Sequence, residues 1–135
     1  GRPDMALFKF VKSMLHGKTI DIYNHGNMRR DFTYISDLIN AINLLINVIP
    51  ENVHSRINVI EGDSLSSSAP FRIINIGNSK PSSLMDFINV IEKEIGFEAK
   101  KNMVGMQQGD VMTTWACNNL LKKLTSYKSQ ITCLD

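Results

Sequence analysis

The chain has 135 residues, of which 43% are hydrophobic and 21% charged, and its formal net charge is +2. That length suits one domain with a genuine core, since about two-thirds of the unfolded surface is buried at this size. No apolar run approaches the ~18 residues of a membrane span, and the basic residues are dispersed and not interleaved with aromatics, which argues against a nucleic-acid surface.

The two cysteines, Cys117 and Cys133, are too few for a disulfide framework. The polar, proline-containing first residues do not read as a signal peptide, so a reducing, cytoplasmic setting is the expectation. His16, His25 and His54 stand far apart without cysteines or carboxylates at ligand spacing, so no metal site is expected.

Pro3 and Asp4 suit a first helical turn, and Met5, Phe8, Val11, Met14 and Leu15 recur at helical spacing up to a stop at Gly17. A short strand is predicted over 19–23, a turn at Asn24-His25-Gly26-Asn27, and a second strand over 31–35. Ser36 is placed to cap a helix carrying Leu38, Ile39, Ile42, Leu45, Ile46 and Ile49, which Pro50 ends.

The polar stretch 50–70 reads as a mobile loop, followed by a buried strand at Phe71-Arg72-Ile73-Ile74-Asn75-Ile76 closed by Gly77. A helix from Ser83 to Ile95 has Ser83 and Asp86 spaced like a capping box and Gly96 at its end. A weaker strand over 98–104, a loop over 105–114 and a short helix over 118–124 complete the order. This is an α/β mixture without a regular βαβ array, expected to form a single domain, 1–135, cut at both ends.

A dinucleotide site needs closely spaced glycines at a helix N-terminus. The eight glycines never cluster in that way, and Ile76-Gly77-Asn78-Ser79 is better read as a strand-ending turn. A Tyr–Lys acid/base pair four residues apart is missing too, because Asn27, Leu38 and Ile131 follow Tyr23, Tyr34 and Tyr127 at that spacing. No nucleophile–base constellation is evident, so no catalytic residue is assigned.

The distinctive segment is Met28-Arg29-Arg30-Asp31-Phe32-Thr33-Tyr34-Ile35-Ser36-Asp37. An arginine entering a strand can present its planar fork to a phosphate. The residues alone leave two readings open, and favour solvated arginines paired with Asp31 or Asp37 over a phosphate grip.

This segment resembles the Arg-Asp-aromatic signature of the extended short-chain dehydrogenase/reductase family. Gly1-Arg2-Pro3-Asp4-Met5-Ala6-Leu7-Phe8-Lys9-Phe10 is similar to the start of the substrate-domain helix in UDP-glucuronate 4-epimerases, and Ile20-Asp21-Ile22-Tyr23-Asn24-His25-Gly26 to the strand-turn ahead of the arginine. The runs Ser66–Ser79, Ala99–Met103 and Gln107–Val111 are similar to its later blocks, in order along nearly the whole chain.

The resemblance implies a mixed α+β substrate-binding lobe whose Rossmann domain lies outside this sequence. It implies NAD as the cofactor, bound by that missing domain, and a UDP-sugar as the ligand. In the family, a tyrosine of the Rossmann domain deprotonates the sugar 4-hydroxyl, NAD takes the C4 hydride, and the keto intermediate turns over before the hydride returns. This chain would hold the nucleotide and be inactive alone.

Residue by residue, Arg30 resembles the diphosphate arginine and Asp110 the acid that accepts from ribose hydroxyls. Tyr23 corresponds to the strand beside uracil, and Arg2 to an arginine near the sugar facing a uronate carboxylate. Gln107 stands where many 4-epimerases carry a second phosphate arginine, as in the glucuronate subgroup. Asp4, Met5 and Phe8 are lesser pocket-wall candidates, Phe8 being better read as core.

Ser36 replaces a usual acid, although Asp37 remains, and Cys117 stands where an aspartate is usual, a departure that bears on the turn into the last helix. The alternatives are a dehydratase or decarboxylase lobe, or a non-catalytic module or gene remnant. An apolar face uncovered in the isolated chain would favour self-association or a homodimer.

Overall fold

The computed structural model describes residues 5–51 and 60–131. Its fold is mixed α/β, as expected, with small sheets and four helices among the described residues. None of those helices is long and apolar enough to cross a membrane. The chain divides into two compact units, one built from 5–30 and 81–114, the other from 31–51, 60–80 and 115–131.

In the first unit, α1 (Ala6–Leu15) ends as the sequence predicts, with the Gly17 N–H donating to the Met14 carbonyl. The strand β1 (Ile20–Ile22) buries Ile20 and Ile22 and leaves Asp21 outside, the period-two pattern of a strand with one covered face. It pairs in parallel with β4 (Lys101–Met103), Ile20 opposite Lys101 and Ile22 opposite Met103. Tyr23–Gly26 then turns as a short 3-10 segment in which Asn24 and His25 take positive φ, tolerated better by Asn and His than by most side chains.

The second sheet is made of two-residue strands, β2 (Arg29–Arg30) between β3 (Ser82–Ser83) and β5 (Thr113–Thr114). The strand predicted over 31–35 therefore lies earlier, at the arginines themselves. The reason is the long-range pairing: Arg29 donates its N–H to the Met112 carbonyl and Leu84 donates to Met28.

Directly after β3 runs α3 (Leu84–Ile95), which buries Phe87, Ile88 and Ile91 and contacts α1. Ser83 is its N-cap, the Oγ accepting from the N–H groups of Met85 at 3.2 Å and Asp86 at 3.4 Å, as the spacing predicts. Near its end, Glu92 accepts from the Ala99 N–H at 2.7 Å and pairs with Lys101 at 2.5 Å, clasping α3 to β4.

In the second unit, α2 (Ile35–Leu45) turns Ala41 inward against Leu121 of α4 (Asn119–Leu124) and against Tyr127. These are at most 1% exposed, and Leu44, Leu45, Ile74 and Ile76 pack around them. Full burial of a leucine such as Leu121 stabilises the folded state by about 1.5–3 kcal/mol. The N-cap of α2 is Tyr34, without a side-chain cap, so Ser36 falls inside the helix and does not cap it. Ile35, Ile39, Ile42 and Ile46 form an exposed row on the opposite side.

The buried strand predicted at 71–76 is not formed. The segment alternates in exposure, Phe71 and Ile73 outward and Ile74 and Ile76 inward, but it finds no ladder among the described residues. Side chains satisfy its backbone instead. Asn118, buried, accepts from the Gly77 N–H at 3.0 Å and donates to the Gly77 carbonyl. The Asp31 carboxylate accepts from the N–H groups of Asn78, Ser79 and Ala116 at 3.2, 2.9 and 3.1 Å.

A Cβ at Gly77 would sit 2.5 Å from the Ala116 Cβ and 2.8 Å from an Asp31 oxygen, so only glycine allows this approach. Residues 60–70, within the stretch read as a loop, include Asp63, which closes a largely buried fork with Arg72 at 2.8 and 3.0 Å. Residues 52–59 lie outside the described residues.

Two stability measurements follow. Ser83→Ala should cost about 1 kcal/mol in urea unfolding, because two N–H groups of the first turn lose their acceptor. For Glu92, burial pushes the carboxyl pKa up, but the bonds from Lys101 and the Ala99 N–H outweigh it and hold it below the ordinary 4.5. A depressed folded pKa gives stability that is present above about pH 4.5 and lost as pH falls through the folded value. Glu92→Gln should therefore be less stable than the natural chain at neutral pH, and the gap should close in urea titrations taken down to acid pH.

Candidate functional site

β2 gives Arg30 its position. Its backbone sits between β3 and β5, opposite Ser82 on one side and Thr114 on the other. The guanidinium Nη1 donates to the carbonyl of Arg29 at 2.9 Å and to that of Met112 at 3.2 Å. One arm of the fork is thereby fixed to backbone, and the other, Nη2, stands 3.7 Å from an Asp110 carboxylate oxygen. Arg30 and Asp110 are half-buried, their side chains 29% and 37% exposed, so solvent weakens but does not erase the attraction.

Asp110 owes its place to a turn. Its N–H donates to the Gln107 carbonyl at 3.1 Å, and Gly109 between them has φ +84°, a conformation that favours glycine. Gln107 is exposed on the same turn. Tyr23, 39% exposed, follows β1, and the N–H of His25 donates to the Val104 carbonyl while the Val104 N–H donates to Ile22. Through β4, the backbone around Tyr23 is thus tied to the chain that leads into the Gln107–Asp110 turn.

Of the sequence-predicted site residues, the structure brings Arg30 and Asp110 together, and puts Gln107 on the Asp110 turn and Tyr23 in the same unit. Arg2 and Asp4 lie outside the described residues. Phe8, read as core, is 48% exposed, and Met5 is 52% exposed. Arg29 points elsewhere, its Nη2 donating to the Pro81 carbonyl at 2.8 Å.

Two contributors went unread in the sequence: the Met112 carbonyl that fixes Arg30, and β5, which fell within a predicted loop. The pair of β-branched residues Thr113-Thr114 is the signal that could have found the strand. Among the described residues, no group of three or more His, Cys, Asp or Glu side chains could hold a metal ion.

This arrangement can bind an anion and cannot by itself move a hydride. A fixed guanidinium supplies charge-assisted hydrogen bonds, and a carboxylate on the neighbouring turn is an acceptor for hydroxyl groups. At Gly77-Asn78-Ser79, the sequence's nearest approach to a dinucleotide loop, the fit fails on the backbone donors. The Gly77 N–H is given to Asn118, those of Asn78 and Ser79 are given to Asp31, and Gly77 has no room beside Ala116.

Comparison with known proteins points the same way. Residues 1–60 match the model of the NAD dependent epimerase/dehydratase family. An uncharacterized 37.6 kDa protein of Escherichia coli O111:H- is 50% identical over the whole chain, which covers 40% of that protein. A probable UDP-glucuronate 4-epimerase of Rhizobium meliloti (strain 1021) is 47% identical over 97% of the chain and 38% of its own length.

Among solved structures, the UDP-glucuronic acid 4-epimerase of Bacillus cereus, in complex with UDP-glucuronic acid and NAD, superposes with a TM-score of 0.75 at 31% identity. It is matched over 98% of this chain and 37% of that one. The chain spans about 40% of the length of the curated relatives it matches.

Proposed function

We propose that this chain belongs to the NAD dependent epimerase/dehydratase family and is the nucleotide-sugar-binding lobe of a cytoplasmic UDP-glucuronate 4-epimerase, a reading supported by the family match and the similar proteins. The observation that carries the reading is the Arg30–Asp110 pair, a backbone-fixed guanidinium beside an acceptor carboxylate on a turn. A nucleoside diphosphate has the complementary groups, with oxyanions for Arg30 and ribose hydroxyls for Asp110. The relatives whose names specify UDP-glucuronate supply the sugar. Tyr23 is assigned to the base and Arg2 to the sugar carboxylate, with Gln107 at the edge of the phosphate site.

NAD belongs to the rest of the longer protein in this reading, which is supported by the Gly77-Asn78-Ser79 turn having its backbone donors taken by Asp31 and Asn118. NAD supplies the hydride acceptor and donor, and this lobe keeps the nucleotide anchored while the sugar turns. Epimerisation requires the 4-keto sugar to present its other face without leaving, so most of the binding energy has to lie away from the reacting carbon. The isoleucine row of α2 is expected to draw copies of the isolated chain together, which sedimentation velocity reads.

Calorimetric titration with UDP tests the assignment. Saturable binding is expected, weakened about tenfold or more by Arg30→Ala, the size of one charge-assisted contact of about 1.5–3 kcal/mol. With NAD added, the chain alone should leave UDP-glucuronate unconverted. Absence of UDP binding by a chain shown to be folded would overturn the reading.

A further inference from the structure

We infer that Asp110 is a specificity-determining residue: it stands as the chain's own counter-ion to Arg30, withholding that arginine from bare phosphates and releasing it to phosphates that carry a ribose. The inference rests on the nucleotide-binding reading above and adds a selection mechanism to it. Its starting point is the unequal treatment of the two arms of the Arg30 fork. Nη1 is bonded to two backbone carbonyls, those of Arg29 and Met112, and therefore cannot turn to follow a ligand. Nη2 is the arm beside Asp110, at 3.7 Å.

That separation is too long for a hydrogen bond and well within ion-pair range. The carboxylate therefore offers Arg30 charge without directional bonding, so it opposes an incoming anion by charge alone and stays open to a donor of its own. The turn that carries it is defined by the bond from the Asp110 N–H to Gln107 and by Gly109 at φ +84°, so the backbone places the residue beside the arginine. An anion at Nη2 lies within range of that charge.

Two classes of ligand fare differently here. Inorganic pyrophosphate brings several negative charges and no neutral donor, so it must approach Arg30 against the repulsion of Asp110. A nucleoside diphosphate brings ribose hydroxyls as well, and an ionised carboxylate is an acceptor only. The hydroxyls give Asp110 donors of its own, which draws the carboxylate into hydrogen bonds with the sugar and leaves Nη2 for the phosphate. Discrimination then comes from a repulsion that one ligand cancels and the other cannot, the usual way a site rejects a smaller competitor that lacks nothing it needs for attraction.

The test is a pair of titrations on the full 135-residue chain, with inorganic pyrophosphate and with UDP, comparing the natural chain, Asp110→Asn and Asp110→Ser. Circular dichroism confirms that each variant is folded. Asn keeps the turn and the side-chain size while removing the charge, and Ser guards against an effect peculiar to the amide. Pyrophosphate is expected to bind both variants about threefold or more tightly than the natural chain at about 0.05 M salt, with a smaller gain at about 0.5 M, where the charge is screened.

The preference for UDP over pyrophosphate should fall by about the same factor or more. A merely structural role for Asp110 would weaken both ligands together and leave the preference unchanged. Pyrophosphate binding that is unchanged or weaker in the folded variants overturns the inference while leaving the nucleotide-binding reading intact. A natural chain that binds neither ligand overturns that reading, and the inference with it.

Discussion

The N–H groups of Asn78, Ser79 and Ala116 all end on one carboxylate, that of Asp31. A buried or half-buried backbone donor without an acceptor is costly, and the strands of this chain are too short to supply acceptors by ladder pairing. Side chains take over that duty throughout the second unit. Asn118 treats Gly77 as a neighbouring strand would, accepting from its N–H and donating to its carbonyl, and Ser64 bonds both the N–H and the carbonyl of Ile73. Ser79 is held at φ +58° by the same arrangement, its N–H on Asp31 and its hydroxyl on the Ala116 carbonyl. The core of Ala41, Leu121 and Tyr127 can close only because the backbone around Gly77 has been satisfied in this way.

Arg30, in the first unit, is fixed the other way round: the carbonyls of Arg29 and Met112 accept from the side chain and hold one arm of it. A guanidinium fixed by carbonyls keeps its full charge, whereas one fixed by carboxylates would be neutralised. That difference separates Arg30, with one ion-pair contact at 3.7 Å, from Arg72, whose fork is closed on Asp63 at 2.8 and 3.0 Å. The first is available to an anion and the second is a structural clasp.

Helices were legible in the sequence because their signals are local. The apolar spacing of α1 and α3, the cap at Ser83 and the stop at Gly96 depend on residues within one or two turns of each other, and they fold as read. The strands were less legible because a two-residue strand carries almost no periodicity and exists only through distant partners, as with Arg30 against Ser82 and Thr114, 52 and 84 positions away. Ser36 misled for a related reason. A hydroxyl before an apolar run reads as a cap, but the helix starts one residue earlier, at Ile35.

At the site, Arg30 and Asp110 were recognised by family resemblance and not by spacing, since 79 intervening residues give no hint that the two charges meet. The Met112 carbonyl could not have been read at all, because a backbone oxygen has no sequence signature. Phe71 to Ile76 shows the converse. Its pattern announced a buried strand; the segment alternates in exposure but joins no ladder among the described residues, and the sequence held no information about whether a partner would be present.

Asp37, 3% exposed, accepts from the Ser129 hydroxyl and from the N–H groups of Gln130 and Ile131, all on the same oxygen. The residues after α4 are thus an acid's solvation shell as much as they are a connecting segment. Anyone trimming the protein for crystallisation, fusing a reporter to it or splitting it into complementing halves would see in 129–131 an irregular stretch that invites removal. Cutting there would strip that oxygen of three donors, open it to water, and break the bonds that hold 129–131 against α2. A safe junction is therefore set by where the charge at position 37 finds its donors, some ninety residues away, and not by where the last helix ends.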